Sequence, residues 1–232
     1  MTRIVETLAK IPLFRSLDAA RIQRLDTQCT WRRADRGQWM INCQDTSTDV
    51  FFVVSGKVYV KLLSVPGREV LLREISAGEY FGEIAGLDNL SRSAGIVAVT
   101  DVVGARMPAS VFLALVHAYP DVCNQLLGLL AGQIRSLVNR VNEFTTLDGR
   151  HRIYSELLRL AKPDPGTPGA AIVSPPPSHS QIASRVSIRR EAVAREIKAL
   201  ERSGMIERRR GALVLTDAAT LQQRIDAARE TE

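Results

Sequence analysis

The chain has 232 residues, enough for one large or two modest domains, and a composition of 45% hydrophobic and 24% charged residues that excludes wholesale disorder. The uncharged apolar run at residues 107–120 is too short to span a bilayer, and the first ten residues lack the apolar core of a signal peptide, so we expect a cytoplasmic protein without a membrane partner. The net charge is +6, and residues 179–210 carry nine Lys or Arg against four Glu, which predicts a polyanionic partner for that region.

Strand patterns dominate the first half of the chain. After a short helix that begins near Leu17, residues 31–106 contain short β-rich runs separated by turn residues. Ser55-Gly56 predicts a two-residue hairpin, Pro66-Gly67 predicts a second one, and Pro108 closes the last strand. Short strands at this spacing predict an antiparallel barrel or sandwich.

A long helix is predicted next, over residues 120–146, with a length of ~40 Å. Its apolar side chains step by three and four residues over three heptads, and polar positions flank them. The narrow stripe predicts a coiled-coil homodimer; the alternative is an ordinary amphipathic helix packed on its own barrel. The stripe comprises Leu127, Leu130, Ile134, Leu137, Val141 and Phe144.

The basic carboxyl-terminal region has the pattern of a winged helix-turn-helix. A helix over residues 147–161 and a Pro/Gly-rich segment, residues 162–177, predicted as a surface loop, precede it. A short helix begins at Ser178 or Ser180, and a second covers residues 189–203 and ends at Gly204. Residues 205–217 then predict a strand, a basic turn and a strand.

The second of these helices is predicted to read DNA. Val193, Ile197 and Leu200 should face the core, which leaves three charged residues outward on its amino-terminal part. Arginine can bind guanine O6 and N7, and glutamate can accept a hydrogen bond from cytosine N4. The alternative is a solvated helix face with weak ion pairs. The predicted readers of double-stranded DNA are Arg190, Glu191 and Arg195, with further contacts from His179, Ser180, Arg189 and, in the wing, Arg209.

The segment FGEIAGLDNLSRSAG, residues 81–95, predicts an anion pocket. The Arg92 guanidinium can grip a phosphate through paired N–H donors, and Ser93 can add a hydroxyl. The amides of Gly82, Glu83 and Ile84 would add donors if they begin a short helix. The Glu83 carboxylate suits a sugar hydroxyl, so the pair describes a nucleotide held by ribose and phosphate. A Glu83–Arg92 surface ion pair is the alternative.

Two motifs carry a resemblance to a known family. The segment above resembles the phosphate-binding cassette of cyclic-nucleotide-binding domains, and the order of roll, long helix and SIRREAVAREIKAL (residues 187–200) resembles the cyclic-AMP receptor protein/FNR family of bacterial transcription regulators. The resemblance implies an α+β fold: an antiparallel β-roll of the cyclic-nucleotide-binding jelly-roll type in residues 1–118, a dimerisation helix in 119–147 and a winged helix-turn-helix in 148–232.

The resemblance also implies residue roles. Gly82 and Glu83 match residues that hold the ribose and the cyclic phosphate, and Arg92 and Ser93 match the phosphate grip. The three predicted readers match the base-contacting residues of the cyclic-AMP receptor protein, which implies palindromic sites with half-sites resembling TGTGA. Where cyclic-AMP binders offer a Thr-Ser pair to adenine, this chain has Leu137 and Val138. Cyclic AMP is therefore the first expected ligand and cyclic GMP the alternative.

Other readings of the same fold have less support. Three scattered cysteines are too few for the iron–sulfur cluster of the FNR branch, and none of the three histidines is placed well for a haem. A constitutive or differently liganded regulator stays open, as does a nucleotide-binding scaffold without DNA function. A phosphodiesterase would need a metal cluster or an activated nucleophile, and neither pattern is present. We expect no metal and no enzyme, and RNA polymerase is a candidate partner.

Overall fold

The computed structural model describes residues 7–64 and 68–230 of the chain. Contacts divide the chain into two compact units, unit 1 (Met1–Gln133) and unit 2 (Ile134–Glu232). The predicted turn at Pro66-Gly67 and the first six residues of the segment searched for a signal peptide lie outside the described residues. Within the described ranges, no helix has the length and apolarity needed to cross a membrane.

Unit 1 is built on two four-stranded antiparallel sheets, as the predicted β-roll requires. Their orders are β1-β8-β3-β6 and β2-β7-β4-β5. The strands are β1 (Thr30–Ala34), β2 (Trp39–Ile41), β3 (Val50–Ser55), β4 (Lys57–Ser64), β5 (Arg68–Ser76), β6 (Tyr80–Phe81), β7 (Gly95–Ala98) and β8 (Val102–Met107).

Strand β3 is apolar at almost every position because it separates two cores. Phe51 and Val53 point between the two sheets, where β4, β5, β7 and β8 also contribute buried side chains. Phe52 and Val54 point the other way, toward a core shared with helices. Side chains alternate faces along a strand, so a strand buried on both faces becomes a continuous apolar run.

The hairpin predicted at Ser55-Gly56 is wrong, although the turn exists. Strand β3 pairs with β6 and β8, whereas β4 pairs with β5 and β7, so the chain changes sheets at this point. Gly56 has φ +87°, and a Cβ there would lie 2.2 Å from the Asp101 carbonyl oxygen, so the corner admits only glycine. The Ser-Gly pair therefore predicted the turn correctly, but it did not predict which strands β3 and β4 pair with.

Among the described residues, four α-helices begin in unit 1: α1 (Ala19–Gln28), α2 (Glu83–Asp88), α3 (Ala109–Ala118) and α4 (Pro120–Thr146). Helix α4 has the bounds predicted from its heptads. Val122 and Leu126 in its first turns are buried in the helical core of unit 1. The boundary between the two units falls inside α4, and the predicted division at residues 118 and 147 stays a prediction.

Unit 2 has the predicted winged helix-turn-helix. Its helices are α5 (Gly149–Leu160), α6 (His179–Val186), α7 (Arg190–Arg202) and α8 (Ala218–Glu230). Its strands, β9 (Lys162–Pro163), β10 (Ala171–Val173), β11 (Ile206–Arg209) and β12 (Ala212–Leu215), form one sheet of order β11-β12-β10-β9. Strands β11 and β12, which form a hairpin after α7, are the wing.

Two features of unit 2 differ from the sequence prediction. Residues 162–177 are not purely a loop, because Ala171 and Val173 are buried where β10 pairs with β12. The sequence did not predict this three-residue strand because the Pro and Gly residues around it indicated a loop. Helix α8 was not predicted; its Leu221 and Ile225 are buried in the same core as α5 and α7.

Candidate nucleotide- and DNA-binding sites

The cassette brings Gly82 and Arg92 into close approach. Gly82 is the N-cap of α2 and has φ +84°, a conformation that glycine adopts readily. A Cβ at Gly82 would lie 2.6 Å from Arg92 Nη1 and 2.9 Å from the Asp49 carbonyl oxygen. The glycine of the F-G-E motif is therefore needed so that the backbone can reach the guanidinium.

The Arg92 side chain is buried, with only 4% exposed. Its Nη1 donates to the Gly82 carbonyl at 3.1 Å, its Nη2 to the Asp49 carbonyl at 2.7 Å and its Nε to the Ser47 hydroxyl at 3.3 Å. The guanidinium also lies 5.9 Å from the ring centroid of Phe51. Neutral acceptors on several loops thus hold one cation in a fixed orientation.

The electrostatics of Arg92 favour an added anion. Burial lowers the pKa of its guanidinium, and nearby carboxylates, that of Asp49 first and that of Glu83 among them, oppose this shift in part. The Asp49 carboxylate is itself engaged by Arg106, whose Nε donates to Oδ2 at 2.6 Å. An arginine in a protein stays protonated, so a bound phosphate would stabilise a charge that burial disfavours.

Glu83 is the first residue of α2 and is 5% exposed. Gln133, at the end of the α4 segment in unit 1, donates from Nε2 to Glu83 Oε1 at 3.0 Å. The carboxylate therefore has one oxygen tied to the long helix. Ile84 and Ser93, the remaining predicted residues of the cassette, are exposed.

Leu137 and Val138, the pair predicted to face the base of the bound nucleotide, lie on α4 in unit 2. Both side chains are exposed, Leu137 by 50% and Val138 by 61%. They continue an exposed apolar stripe with Ile134 and Val141. Of the six predicted heptad residues, Leu130 alone is half-buried, because it packs against the helical core of unit 1. The heptad pattern therefore describes a face that is largely unburied within one chain.

Helix α6 and the turn after it have the geometry of a helix-turn-helix. Ser178 caps α6 in a capping box with Gln181: each backbone N–H bonds the other's side chain. Ser187 ends α6 with φ +54°, and α7 begins at Arg190. Of the further predicted DNA contacts near this turn, Ser180 and Arg189 are exposed and His179 is half-buried.

Helix α7 presents the predicted readers outward. Val193, Ile197 and Leu200 are buried in the core of unit 2. Three charged residues, Arg190, Glu191 and Arg195, are exposed together on the other side. The interpretation of which helix face is buried is therefore correct, and the outward face offers donors and an acceptor for base edges.

Two contacts from α5 hold Glu196 of α7, and the sequence did not predict them. Glu196 accepts a hydrogen bond from the buried Tyr154 hydroxyl and pairs with Arg150 Nε at 3.2 Å. Burial, reinforced by Glu196, raises the pKa of Tyr154 to about 12. Both partners lie on α5, more than forty positions away, and no sequence signal could have found them; the same holds for Ser47 and Gln133 at the cassette.

Two arginines of the wing, Arg208 and Arg209, form ion pairs. Arg209 contacts Asp164 Oδ2 at 3.2 Å and Glu207 Oε2 at 3.3 Å, and Arg208 pairs with Glu201. All three wing arginines, Arg208, Arg209 and Arg210, are exposed. The Arg208–Glu201 and Arg209–Glu207 pairs are solvent-accessible and worth ~0–1 kcal/mol each, so a DNA phosphate can replace them at small cost, whereas the Asp164 side chain is only 9% exposed.

The described residues hold no group of three or more His, Cys, Asp or Glu side chains placed to bind a metal ion. The cassette instead offers a cation, a carboxylate and backbone groups, and unit 2 offers an exposed basic helix.

Comparison with known proteins finds one matching domain family in each half of the chain. Residues 31–119 match the cyclic nucleotide-binding domain, and residues 151–224 match the Crp-like helix-turn-helix domain. The cyclic AMP receptor protein of Thermus thermophilus is 28% identical over 91% of this chain and 95% of its own length. A CRP-like cAMP-activated global transcriptional regulator of Mycobacterium tuberculosis is 24% identical over 94% and 98%. In fold, the chain is similar to a mutant of CooA from Carboxydothermus hydrogenoformans, with TM-score 0.79, 19% identity and coverage of 96% and 98%.

The fold and the matched domains define a DNA-binding transcription regulator with a cyclic-nucleotide-binding domain, and not an enzyme. The two domain matches together cover well over half of the chain, in the order that the resemblance required. The chain belongs to the cyclic-AMP receptor protein/FNR family of bacterial transcription regulators.

Proposed function

We propose that this chain forms a homodimer that binds palindromic DNA in response to a 3′,5′-cyclic nucleotide, cyclic AMP first. The observation that carries the proposal is the buried Arg92 guanidinium, which approaches the Gly82 backbone within hydrogen-bond distance while Glu83 lies buried beside it. A cyclic phosphate would take the remaining guanidinium N–H groups, and a ribose hydroxyl would donate to Glu83.

The proposed ligand also has a route to the long helix. Glu83 already accepts a hydrogen bond from Gln133 of α4. A ribose hydroxyl that bonds the same carboxylate would change the strength or position of that contact. Ligand could then favour one arrangement of α4 over another, provided that it binds that arrangement more tightly.

Dimerisation is supported by the exposed stripe on α4. Ile134, Leu137 and Val141 repeat at coiled-coil spacing, and these three and the adjacent Val138 are each at least 50% exposed. A two-fold dimer would present two copies of α7 to two half-sites about one helical turn apart, a docking geometry for which this family's founding member is the general example. The matches of Arg190, Glu191 and Arg195 favour half-sites resembling TGTGA.

Cyclic GMP is the second candidate ligand. Leu137 and Val138 cannot form the hydrogen bonds to adenine that a Thr-Ser pair supplies, and apolar side chains discriminate poorly between purines. The proposal therefore predicts a preference for cyclic AMP that is small, and cyclic GMP binding that is measurable.

Calorimetry with each cyclic nucleotide tests the proposal. Arg92→Ala should weaken binding of both nucleotides by roughly 30-fold or more, because truncating one member of a buried charge pair costs ~2–5 kcal/mol. Arg92→Lys should recover only part of the affinity, and Arg36→Ala, at an exposed arginine of the same unit, should behave as wild type. Unchanged affinity in Arg92→Ala would remove the pocket from the proposal. A gel shift on a TGTGA palindrome, with and without nucleotide, tests the DNA half.

A further inference from the structure

Five charged side chains meet where three helices of unit 2 join, and we call them the helix-junction cluster. They are Arg140 and Glu143 of α4, Glu156 and Arg159 of α5, and Arg185 of α6. Two of them are buried: Glu156 is 1% and Arg140 9% exposed. Neither the nucleotide cassette nor the reading face of α7 includes any of these residues.

The contacts form a continuous chain from α4 to α6. Glu143 Oε2 accepts from Arg159 Nη2 at 2.6 Å, and Arg159 also pairs with Glu156. The other oxygen of Glu156 contacts Arg185 Nη1 at 3.3 Å. Arg140 closes the circuit, because its Nη2 donates to the backbone carbonyl of Arg185. The long helix thus touches α6 directly through one arginine and indirectly through α5.

The direct contact falls at the carboxyl-terminal end of α6. Arg185 is in the last turn of that helix, and Ser187 ends it. The final carbonyls of a helix lack intrahelical partners and carry partial negative charge, so a guanidinium there is well placed. Helix α6 shares one buried core with α7, through Ile182 and Val193 among others. A shift of α6 would therefore carry the reading helix with it.

The same two turns of α4 have two faces with different tasks. Leu137 and Val141 are exposed in the stripe that the proposed function assigns to a second copy of the chain. Arg140 and Glu143 belong to the helix-junction cluster and lie on the adjoining side of the helix, where the Arg140 guanidinium is 5.9 Å from the ring centroid of Phe144 in the same stripe. Within seven positions of α4, residues proposed to contact the second chain thus alternate with residues that contact α5 and α6.

We propose that Arg140 is a positioning residue for DNA reading: it fixes α6, and with it α7, to the dimer-forming helix. This inference rests on the proposed function for its ligand-dependent part. A movement of α4 caused by ligand would then be transmitted through Arg140 to α6 and to the reading helix α7. Arg140 touches neither DNA nor nucleotide in this assignment.

The composition of the cluster suits positioning better than stability. It holds three cations and two anions, and the buried Arg140 donates to the Arg185 carbonyl and is stabilised electrostatically by Glu156. Burial lowers the pKa of Arg140, with Glu156 opposing the shift. Buried ion pairs seldom add net stability, but each buried charge needs its partner in one geometry, which makes the junction specific.

The first test needs no ligand. Hydrogen exchange by mass spectrometry would compare wild type with Arg140→Met, Arg140→Lys and the control Arg135→Met, an exposed arginine on the same helix. We expect peptides covering residues 179–186 to exchange about tenfold faster in Arg140→Met, because the tie to α4 is lost. Peptides of the β-roll and the control should not change, and Arg140→Lys should restore much of the protection. Equal exchange of α6 in wild type and Arg140→Met would overturn the inference.

The second test measures coupling. Fluorescence anisotropy gives the DNA affinity of the full chain with and without cyclic AMP, and calorimetry gives nucleotide affinity. In Arg140→Met, the gain in DNA affinity on adding nucleotide should shrink about tenfold, while nucleotide affinity stays within about threefold of wild type. A gain that stays within threefold of wild type would contradict the inference.

Two further outcomes are separable. If wild type shows no gain with either nucleotide, the proposed function fails, and the exchange experiment still decides whether Arg140 ties α6 to α4. If Arg140→Met does not fold, Glu143→Gln removes the negative charge that pairs with Arg159 at the less buried end of the cluster and leaves only a neutral acceptor there. It should show the same two effects at smaller size, and wild-type behaviour in both assays would count against the cluster.

Discussion

Lysine at two positions of the exposed α4 stripe should convert the proposed dimer to monomers. Ile134 is 62% and Val141 63% exposed in the single chain, and they lie one heptad apart. In a coiled coil both positions face the partner, so the double substitution Ile134→Lys and Val141→Lys places four ammonium groups in the seam of one dimer.

The size of the effect follows from these exposures. Full burial of an Ile or Val side chain is worth ~1.5–3 kcal/mol, so burying the roughly 60% that is exposed is worth ~1–2 kcal/mol for each side chain. Four such side chains per dimer give ~4–7 kcal/mol. At 1.4 kcal/mol per factor of ten, the dimer dissociation constant should rise ~10³- to 10⁵-fold, before any charge repulsion is counted.

Light scattering and sedimentation at micromolar concentration measure the oligomeric state. The matched control is Ser136→Lys with Asn139→Lys, which adds the same charge to exposed polar positions of the same helix. We expect the control to stay dimeric and the seam variant to be monomeric, with unit 1 still able to bind nucleotide. A dimer that survives the seam substitutions would show that the chain associates through another surface.

Three further predictions test other parts of the molecule. Arg195→Ala should cost ~1–3 kcal/mol on a TGTGA-like site and relax discrimination at one base pair, whereas equal loss on every sequence would show a phosphate contact. Gln133→Leu should lower the free energy of unfolding by ~1–3 kcal/mol in urea, because the buried Glu83 carboxylate loses its donor; no change would mean that the hydrogen bond is not formed in solution. The pKa of Asp148 is lowered from 3.8: burial would raise it, but hydrogen bonds from His151 outweigh burial. Its stabilising contribution is therefore complete above the unfolded-state value and fades as pH falls through the folded-state value, so Asp148→Asn should flatten the loss of stability below about pH 4.

The sequence predicted elements whose signals are local. The heptads predicted the correct bounds of α4, and the start of α6 was predicted at Ser178 or Ser180, of which Ser178 is the N-cap, in a capping box of only four consecutive residues. The pairing of β3 depended on residues fifty positions away, so the turn at Gly56 was recognised and its partner strands were not. Residues 171–173 form a strand because β12 is beside them, and their own Pro/Gly-rich context indicates the opposite.

The site divides in the same way. Arg92 and Glu83 lie within one motif, and their type and spacing pointed to a pocket. The residues that hold them, Ser47, Asp49 and Gln133, come from loops and a helix forty or more positions away, and Ser, Asp or Gln at such places carries no distinctive pattern. Position in three dimensions, which only folding supplies, gives these common residue types their role.

The surroundings of Arg92 favour a binding role over a structural one. Its buried hydrogen bonds go to two carbonyls and a hydroxyl, so no carboxylate of the described residues is paired with it directly. Taking a cation out of water costs several kcal/mol, and an apolar side chain of similar size often serves stability as well or better. Arg92→Met should therefore change the free energy of unfolding by no more than about 1–2 kcal/mol, since lost hydrogen bonds and relieved desolvation oppose each other, while nucleotide binding falls steeply. Urea unfolding beside calorimetry separates the two effects. A large loss of stability with unchanged nucleotide affinity would make Arg92 a structural residue and remove the reason for placing a phosphate against it.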